Sequence, residues 1–148
     1  MQIEIKPFTA LSLEELYAVL RLRSEIFVVE QECIYLDLDG KDMKALHVLG
    51  WKGDQLCGYC RVFRPGDYFE EASIGRVAVP TDFRGRGYGA LIVDFTIQAI
   101  HKEMGACPIA ISAQAYLQRF YEELGFKAEG DLYKEDGIPH MRMVLTAD

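Results

Sequence analysis

The sequence has no long apolar run: nothing in it approaches the roughly 20 consecutive apolar residues that a membrane helix needs. Its opening, Met1-Gln-Ile-Glu-Ile-Lys-Pro-Phe-Thr-Ala10, has neither a positive start nor an extended apolar stretch. A secretory leader is therefore not expected, and the expected location is cytoplasmic, with no membrane partner. Repeats, low-complexity tracts and Pro/Gly/Ser linkers are also missing. At 148 residues, about one domain's worth, residues 1–148 are read as a single domain. Positive charge is in short supply, with 16 Lys and Arg against 23 Asp and Glu and a net charge of −7. A nucleic-acid binder wants a basic face, so that class is set aside. The acidity fits a cationic partner such as an amine only loosely, because many soluble proteins are acidic for solubility alone.

Metal and redox chemistry have little to work with. There are four cysteines and three histidines. Cys57 and Cys60 form a lone C-x-x-C, with no second pair and no neighbouring His to complete a metal set. They lie in Gln55-Leu-Cys-Gly-Tyr-Cys-Arg-Val-Phe63, a strand-type segment. Residues three apart on a strand face opposite ways, so the two sulfurs diverge. Buried structural cysteines and no metal site are the expectation.

What is present is an ordered alternation. Half of the residues are hydrophobic, enough for a real core. Ile3 to Phe8 alternates as a first strand. Ser12-Leu-Glu-Glu15 is a capping box opening a helix to about Ile26. Phe27 to Asp42 reads as loop with some helix. Leu46 to Lys52 and Gln55 to Arg64 form a hairpin across Gly53-Asp54. Ser73 to Val79 is the next strand, ended by Pro80. Gly87 to Glu103 carries one apolar helical face and stops at Gly105. Ile109 to Ala113 is a short buried strand. Leu117, Phe120, Tyr121 and Leu124 mark another helix, stopped by Gly125. A last hairpin joins about Phe126 to Tyr133 and His140 to Leu145 through Glu135-Asp136-Gly137. Strands interleaved with helices around one sheet imply an α/β or α+β sandwich with about four helices.

The strongest local signal is Arg84-Gly-Arg-Gly-Tyr-Gly89, after a strand and at a helix start. Glycines let the backbone curl around an anion, and the helix start offers unpaired N–H groups and a positive dipole end. Two arginines add charge for phosphates. Gly85-x-Gly87-x-x-Ala90 also meets the loose dinucleotide fingerprint. The acidic residue such a site wants about 20 positions later is missing, since no Asp or Glu lies between Glu103 and Glu122. The Gly-Lys-Ser/Thr ending of a P-loop is missing too. A dinucleotide-dependent oxidoreductase therefore ranks behind other phosphate ligands.

Val79-Pro-Thr-Asp-Phe-Arg84-Gly-Arg-Gly87-Tyr-Gly89-Ala90 resembles the acetyl-CoA signature of the GNAT superfamily of N-acetyltransferases. Phe120-Tyr121-Glu-Glu-Leu-Gly125-Phe126 resembles that superfamily's second motif, at the expected distance. Phe27-Val-Val-Glu-Gln31, His47-Val-Leu-Gly-Trp51, Ile74-Gly-Arg-Val77, Gln114-Ala-Tyr-Leu-Gln118 and Glu135-Asp-Gly-Ile-Pro-His140 are similar to its ElaA-type subgroup. The resemblance implies a mixed, mostly antiparallel sheet, splayed at the cofactor strand by a β-bulge. It implies acetyl-CoA as co-substrate, with no metal. The pyrophosphate would lie on Arg84, Gly85, Arg86, Gly87, Tyr88, Gly89 and Ala90. The pantetheine arm would lie along Val77, Ala78 and Val79 and touch Gln114, Phe120 and Tyr121.

Backbone donors near Val77 and Val79 would then polarise the thioester carbonyl. Tyr121 takes the family's general-acid position, with an ordinary pKa near 10. Two departures stand out: Gly75 where many members carry a base glutamate, and Gln114 where many carry asparagine. The base is then sought among Glu30, His140, Asp136 and ordered water. Arg76, a charge on an apolar strand, is expected either to line the acceptor site or to pair with Glu30. His47 and His101 carry no signal of their own. No cysteine has a flanking base, so direct transfer in a ternary complex is expected. A non-catalytic acyl-CoA sensor is the alternative. The acceptor would be a small-molecule or peptide amine, held by the carboxylate-rich segments Phe27 to Asp42 and Tyr133 to His140. The oligomeric state is left open between monomer and homodimer.

Overall fold

A computed structural model describes residues 1–147. Seven strands form one sheet: β1 (Gln2–Pro7), β2 (Leu46–Lys52), β3 (Gln55–Phe63), β4 (Ala72–Ala78), β5 (Ile109–Gln114), β6 (Lys127–Glu135) and β7 (Ile138–Leu145). Their spatial order is β1-β2-β3-β4-β5-β7-β6. Every pairing is antiparallel except β4 with β5. A doubly wound parallel sheet, which a dinucleotide site would need, is thereby excluded.

Three α-helices flank the sheet: α1 (Leu13–Arg23), α2 (Tyr88–Met104) and α3 (Gln118–Glu123). The capping box at Ser12 forms in both directions, Glu15 N–H to the Ser12 hydroxyl at 3.0 Å and Ser12 N–H to the Glu15 carboxylate at 2.8 Å. The chain beyond α1 departs from the expected loop. Ser24–Glu30 continues as a π-helical segment. Its five-residue spacing appears in the bonds from Gln31 N–H to Ile26 O at 3.2 Å and from Cys33 N–H to Val28 O at 3.1 Å. Such widened turns recur at functional sites. With this segment included, the helical stretches match the four anticipated.

Strand alternation assigns the two sheet faces. Val48, Cys60, Val62, Ile74, Ile109 and Ile111 join Ile92, Val93, Ile97 and Ile100 of α2 in the main core. Leu49, Tyr59 and Ala78 meet Val19, Leu22 and Ile26 in a second, smaller one. Cys57 and Cys60 do diverge: both are buried and free, one bonded to the Gly50 carbonyl, the other to Thr96 of α2. Gly50 and Gly58 leave a bare patch that Ile92 fills. A Cβ at Gly58 would lie 2.8 Å from Ile92 Cγ1, and one at Gly50 2.8 Å from Ile92 Cδ1.

Two irregularities open the sheet in its middle. The β3–β4 register slips, with Arg61 opposite Gly75 but Tyr59 opposite Ala78. Arg76 and Val77 therefore face Cys60 alone, which is a β-bulge on β4. On the other edge, β4 pairs with β5 only at Ala72–Ile109 and Ser73–Ala110. From Ile74 onward the two parallel strands part. The last hairpin turns through Asp136 (φ 52°) and Gly137 (φ 78°), both left-handed, with Glu135 paired to Ile138. That is the tight Asp-Gly turn whose twist matches the strands.

Candidate active site

A cleft of about 650 Å³ opens where β4 and β5 part. Its walls are Ile74 to Val79 on one side and Ile111 to Gln114 on the other. The outward edge of β4 beyond Ser73 has no strand beside it, so its backbone groups are available to an extended ligand.

The glycine turn closes one end. Gly85 and Gly87 adopt φ of 78° and 77°, a conformation that a side chain would strain. Gly87 caps α2, whose first internal bond runs from Leu91 N–H to Gly87 O at 3.1 Å. The N–H groups of Tyr88, Gly89 and Ala90 precede that bond and have no helical carbonyl to reach. Gly89 has a further task. A Cβ there would stand 3.5 Å from Phe120 Cζ and 3.8 Å from Val79 Cγ2, so the first turn of α2, the end of β4 and α3 converge on one point. The two sequence motifs thus meet in space.

Tyr121 sits on α3 at 7% exposure. Its ring packs edge-on against Phe120 at 5.0 Å and Phe126 at 5.9 Å. Burial pushes its phenol well above the ordinary range, so the hydroxyl keeps its proton at neutral pH. It lines the same cleft.

The arginines of the turn differ from expectation. The Arg84 guanidinium faces Glu30 in a two-pronged pair at 2.7 and 2.9 Å, and its Nε donates to the Val79 carbonyl at 3.0 Å. Its side chain braces the π-helical segment against the end of β4, leaving chiefly its charge and backbone for a phosphate. Arg86 lies over the Phe83 ring at 5.3 Å. Glu30 is correspondingly a poor base. Arg84 beside it holds its carboxyl below the ordinary carboxylate range, with Thr81 adding a weaker bond. Of the two alternatives for Arg76, the pair with Glu30 does not form, whereas the residue does line the cleft. Arg76 turns to Asp37 at 2.8 Å.

Asp37 belongs to a buried charge cluster that sequence reading missed. Arg23 on α1 contacts Asp37 at 2.8 Å and Asp42 at 2.7 Å. Arg61 on β3 contacts Asp42 at 2.9 Å and Asp39 at 2.7 Å. Arg23 and Arg61 are 0% and 2% exposed. The arginines hold Asp39 and Asp42 below the ordinary carboxylate range despite burial, which opposes this. His47 joins through the Asp42 carbonyl at 2.9 Å and the Tyr59 hydroxyl at 2.7 Å. Of the carboxylates expected to greet an acceptor from this loop, Asp37, Asp39 and Asp42 are thus paired with arginine within the fold, while Glu32 stays exposed. The available signal was Arg61 within an apolar strand.

The opposite side of the cleft keeps its polar groups. Gln114 and His140 pair across β5 and β7 and face the side of the sheet away from α2. Gln114 donates to Gln31 at 3.2 Å. His140 is 6% exposed, with Nδ1 2.7 Å from the Ile138 carbonyl. That carbonyl can only accept, so Nδ1 carries a proton. Nε2 lies 3.4 Å from the Glu135 carboxylate. Ser112 contacts Glu135 at 3.4 Å and also the Tyr133 hydroxyl. Asp136 accepts from the Cys33 thiol at 3.3 Å, so the last hairpin touches the segment after the π-helix. At Gly75 a Cβ would meet nothing within 4 Å; the space a base glutamate would take is open. Among the described residues no three His, Cys, Asp or Glu side chains gather as a metal site.

The model of the GNAT acetyltransferase domain matches residues 19–147. The chain belongs to the GNAT acetyltransferase family. Within this family it is 42% identical over 135 residues to Protein ElaA of Escherichia coli (strain K12), covering 90% of this chain and 88% of ElaA. The crystal structure of Escherichia coli ElaA superposes with a TM-score of 0.91 at 38% identity, over 97% of this chain and 98% of that one. An acyl-CoA N-acyltransferase from Pseudomonas aeruginosa superposes with a TM-score of 0.92 at 37% identity, over 99% and 100%. The chain is an ElaA-like GNAT protein, and its sheet parts between β4 and β5, at the strand where the resemblance implies a splay. No helix among the described residues is long and apolar enough to cross a membrane.

Proposed function

We propose that this GNAT protein is an acetyl-CoA-dependent N-acetyltransferase that moves an acetyl group to an amine by direct attack in a ternary complex. The observation that carries the reading is the cleft itself. An unpaired β4 edge lies in one cleft with a left-handed glycine turn and a buried tyrosine. The N–H groups from Gly85 to Ala90 take the pyrophosphate, with Arg84 and Arg86 adding positive field. The arm lies along Val77, Ala78 and Val79, against Gln114 and Phe120.

The chemistry follows from the groups at hand. The amine nitrogen attacks the thioester carbonyl, whose growing negative charge meets backbone N–H groups at the bulge. The C–S bond breaks and the thiolate takes a proton from Tyr121, kept protonated by burial. The proton lost by nitrogen goes to His140 Nε2. Nδ1–H is engaged by Ile138, which leaves Nε2, beside the Glu135 carboxylate, as the nitrogen that takes the proton. Glu30 is unsuited to this step, being locked to Arg84. The acceptor nitrogen approaches beside His140 and Glu135; the Glu135 carboxylate favours an amine cationic in solution, which gives one proton to bulk water before it attacks and the second to His140 Nε2 as the C–N bond forms. Its body rests near Tyr35, Phe63 and Tyr68.

Calorimetric titration of acetyl-CoA, followed by thiol release on a panel of amines, tests the reading. Micromolar binding and turnover, faster on cationic than on neutral amines, are expected. Absence of binding by the folded protein overturns it. Binding without turnover on any amine points to the sensor instead.

A further inference from the structure

Arg76 is the one residue of β4 in the left-handed region, at φ 52°. Only glycine and, less often, asparagine or aspartate occupy it readily; for other residues it costs energy that surroundings must supply. Arg76 is also the first residue of the bulge, one position before Val77. Its guanidinium does not extend into solvent. Nε donates to the Asp37 carboxylate at 2.8 Å and Nη2 to the Asp37 carbonyl at 3.2 Å. The same nitrogen is 3.6 Å from Asp39, and the group lies 5.6 Å from the Tyr35 ring centre. Asp37 cannot follow Arg76 if it moves, because Arg23 grips its other oxygen at 2.8 Å, and the Tyr35 hydroxyl donates to it at 2.6 Å.

From this we infer that Arg76 and Asp37 are positioning residues: their ion pair holds the strained bulge open, and so aims the Val77 backbone at the thioester carbonyl. This rests on the acetyltransferase reading. A relaxed residue 76 would let β4 resume regular pairing with β3 and turn the Val77 N–H away from the cleft. The pair also fastens the loop on the acceptor side to the strand on the cofactor side, so the order of one is transmitted to the other. The role is separate from contact with substrate. Arg76 acts through its backbone, and the side chain serves to keep that backbone where it is.

Three variants separate this role from a substrate-binding charge. Arg76→Gly removes the charge but adopts the left-handed region without strain. Arg76→Ala removes the charge and keeps the strain. Asp37→Asn weakens the grip on an unchanged arginine. Arg76→Ala is expected to lower kcat about ten- to a hundredfold, the loss of a misaimed oxyanion donor, with the calorimetric affinity for acetyl-CoA held within about threefold because the glycine turn is untouched. Arg76→Gly should recover most of that rate, and Asp37→Asn should fall between. Equal losses in Arg76→Gly and Arg76→Ala would overturn the inference and make the guanidinium a substrate contact; wild-type rates in all three would overturn it as well.

Amide hydrogen exchange over residues 72–78 gives a readout without substrate. Protection should rise in Arg76→Ala as pairing with β3 is restored, and stay as in wild type in Arg76→Gly. No change in Arg76→Ala would overturn the clamp. A wild type that neither binds nor turns over acetyl-CoA would instead overturn the acetyltransferase reading, leaving the exchange result to judge the clamp.

Discussion

The two sides of the cleft are built in different ways. The side proposed for the cofactor is made of backbone: a bare strand edge, two left-handed glycines and the first N–H groups of α2. Its parts lie within a few residues of each other. The acceptor side is made of side chains from the π-helical segment, the loop after it, β5 and the last hairpin, drawn together across the whole chain. Its charges mostly neutralise one another before a ligand arrives. Backbone donors suit a ligand common to many proteins, whereas side-chain constellations can vary with the acceptor while the scaffold stays.

The largest way to break this contrast is at the buried cluster. Arg23→Ala leaves Asp37 and Asp42 short of a partner inside the protein, and should cost about 3–5 kcal/mol. The unfolding midpoint read by calorimetry would fall steeply; a midpoint unchanged within experimental scatter would mean the acceptor side is not held by its ion pairs. Tyr121→Phe comes next. Removing the proposed acid should lower kcat about a hundredfold, at the lower end of what general acids contribute, and leave acetyl-CoA affinity in place. An equal fall in affinity would assign Tyr121 to binding alone.

On the cofactor side, Gly87→Val forces a branched residue into φ 77° and should weaken acetyl-CoA about tenfold, from roughly 1–3 kcal/mol of strain. The acceptor KM should change little, and a change confined to that KM would reverse the assignment of sides. The smallest effect is in acid. Asp39 and Asp42 have folded pKa values below their ordinary ones. Their contribution is complete above the unfolded carboxylate range near 4 and is lost as pH falls through the lower, folded values. Asp39→Asn should flatten that acid-side decline in the thermal midpoint, and an unaltered slope would show that other carboxylates govern it.

The same contrast decides what could be read from the sequence. The strands, the hairpin turns, the capping box at Ser12 and the glycine turn follow from near neighbours, and each was legible. That Tyr121 lies at the cleft was legible from the resemblance because its motif is local. The Arg84–Glu30 pair joins residues 54 apart, and Arg76–Asp37 residues 39 apart; no periodicity announces either. Arg76 was seen as an anomaly on its strand, expected either to line the acceptor site or to pair with Glu30; its actual partner Asp37 went unread, because Glu30 and Asp37 are equally plausible carboxylates until the π-helical segment turns one toward Arg84. That segment was itself illegible. Apolar spacing at 3.6 residues marks a helix, but nothing in Ser24 to Glu30 signals the wider turn.

The bare patch at Gly50 and Gly58 has a further consequence. Ile92, which fills it, stands four positions after Tyr88 on α2, about 6 Å along the axis from the glycine turn. The height at which α2 rides over β2 and β3 therefore sets how far that turn stands from β4. On the proposed reading a cofactor arm of fixed length spans that gap, which would make these two glycines the gauge of the cleft. A methyl group added at Gly58, away from the proposed ligand, would press on Ile92 Cγ1 and change the span that a thioester would have to fit.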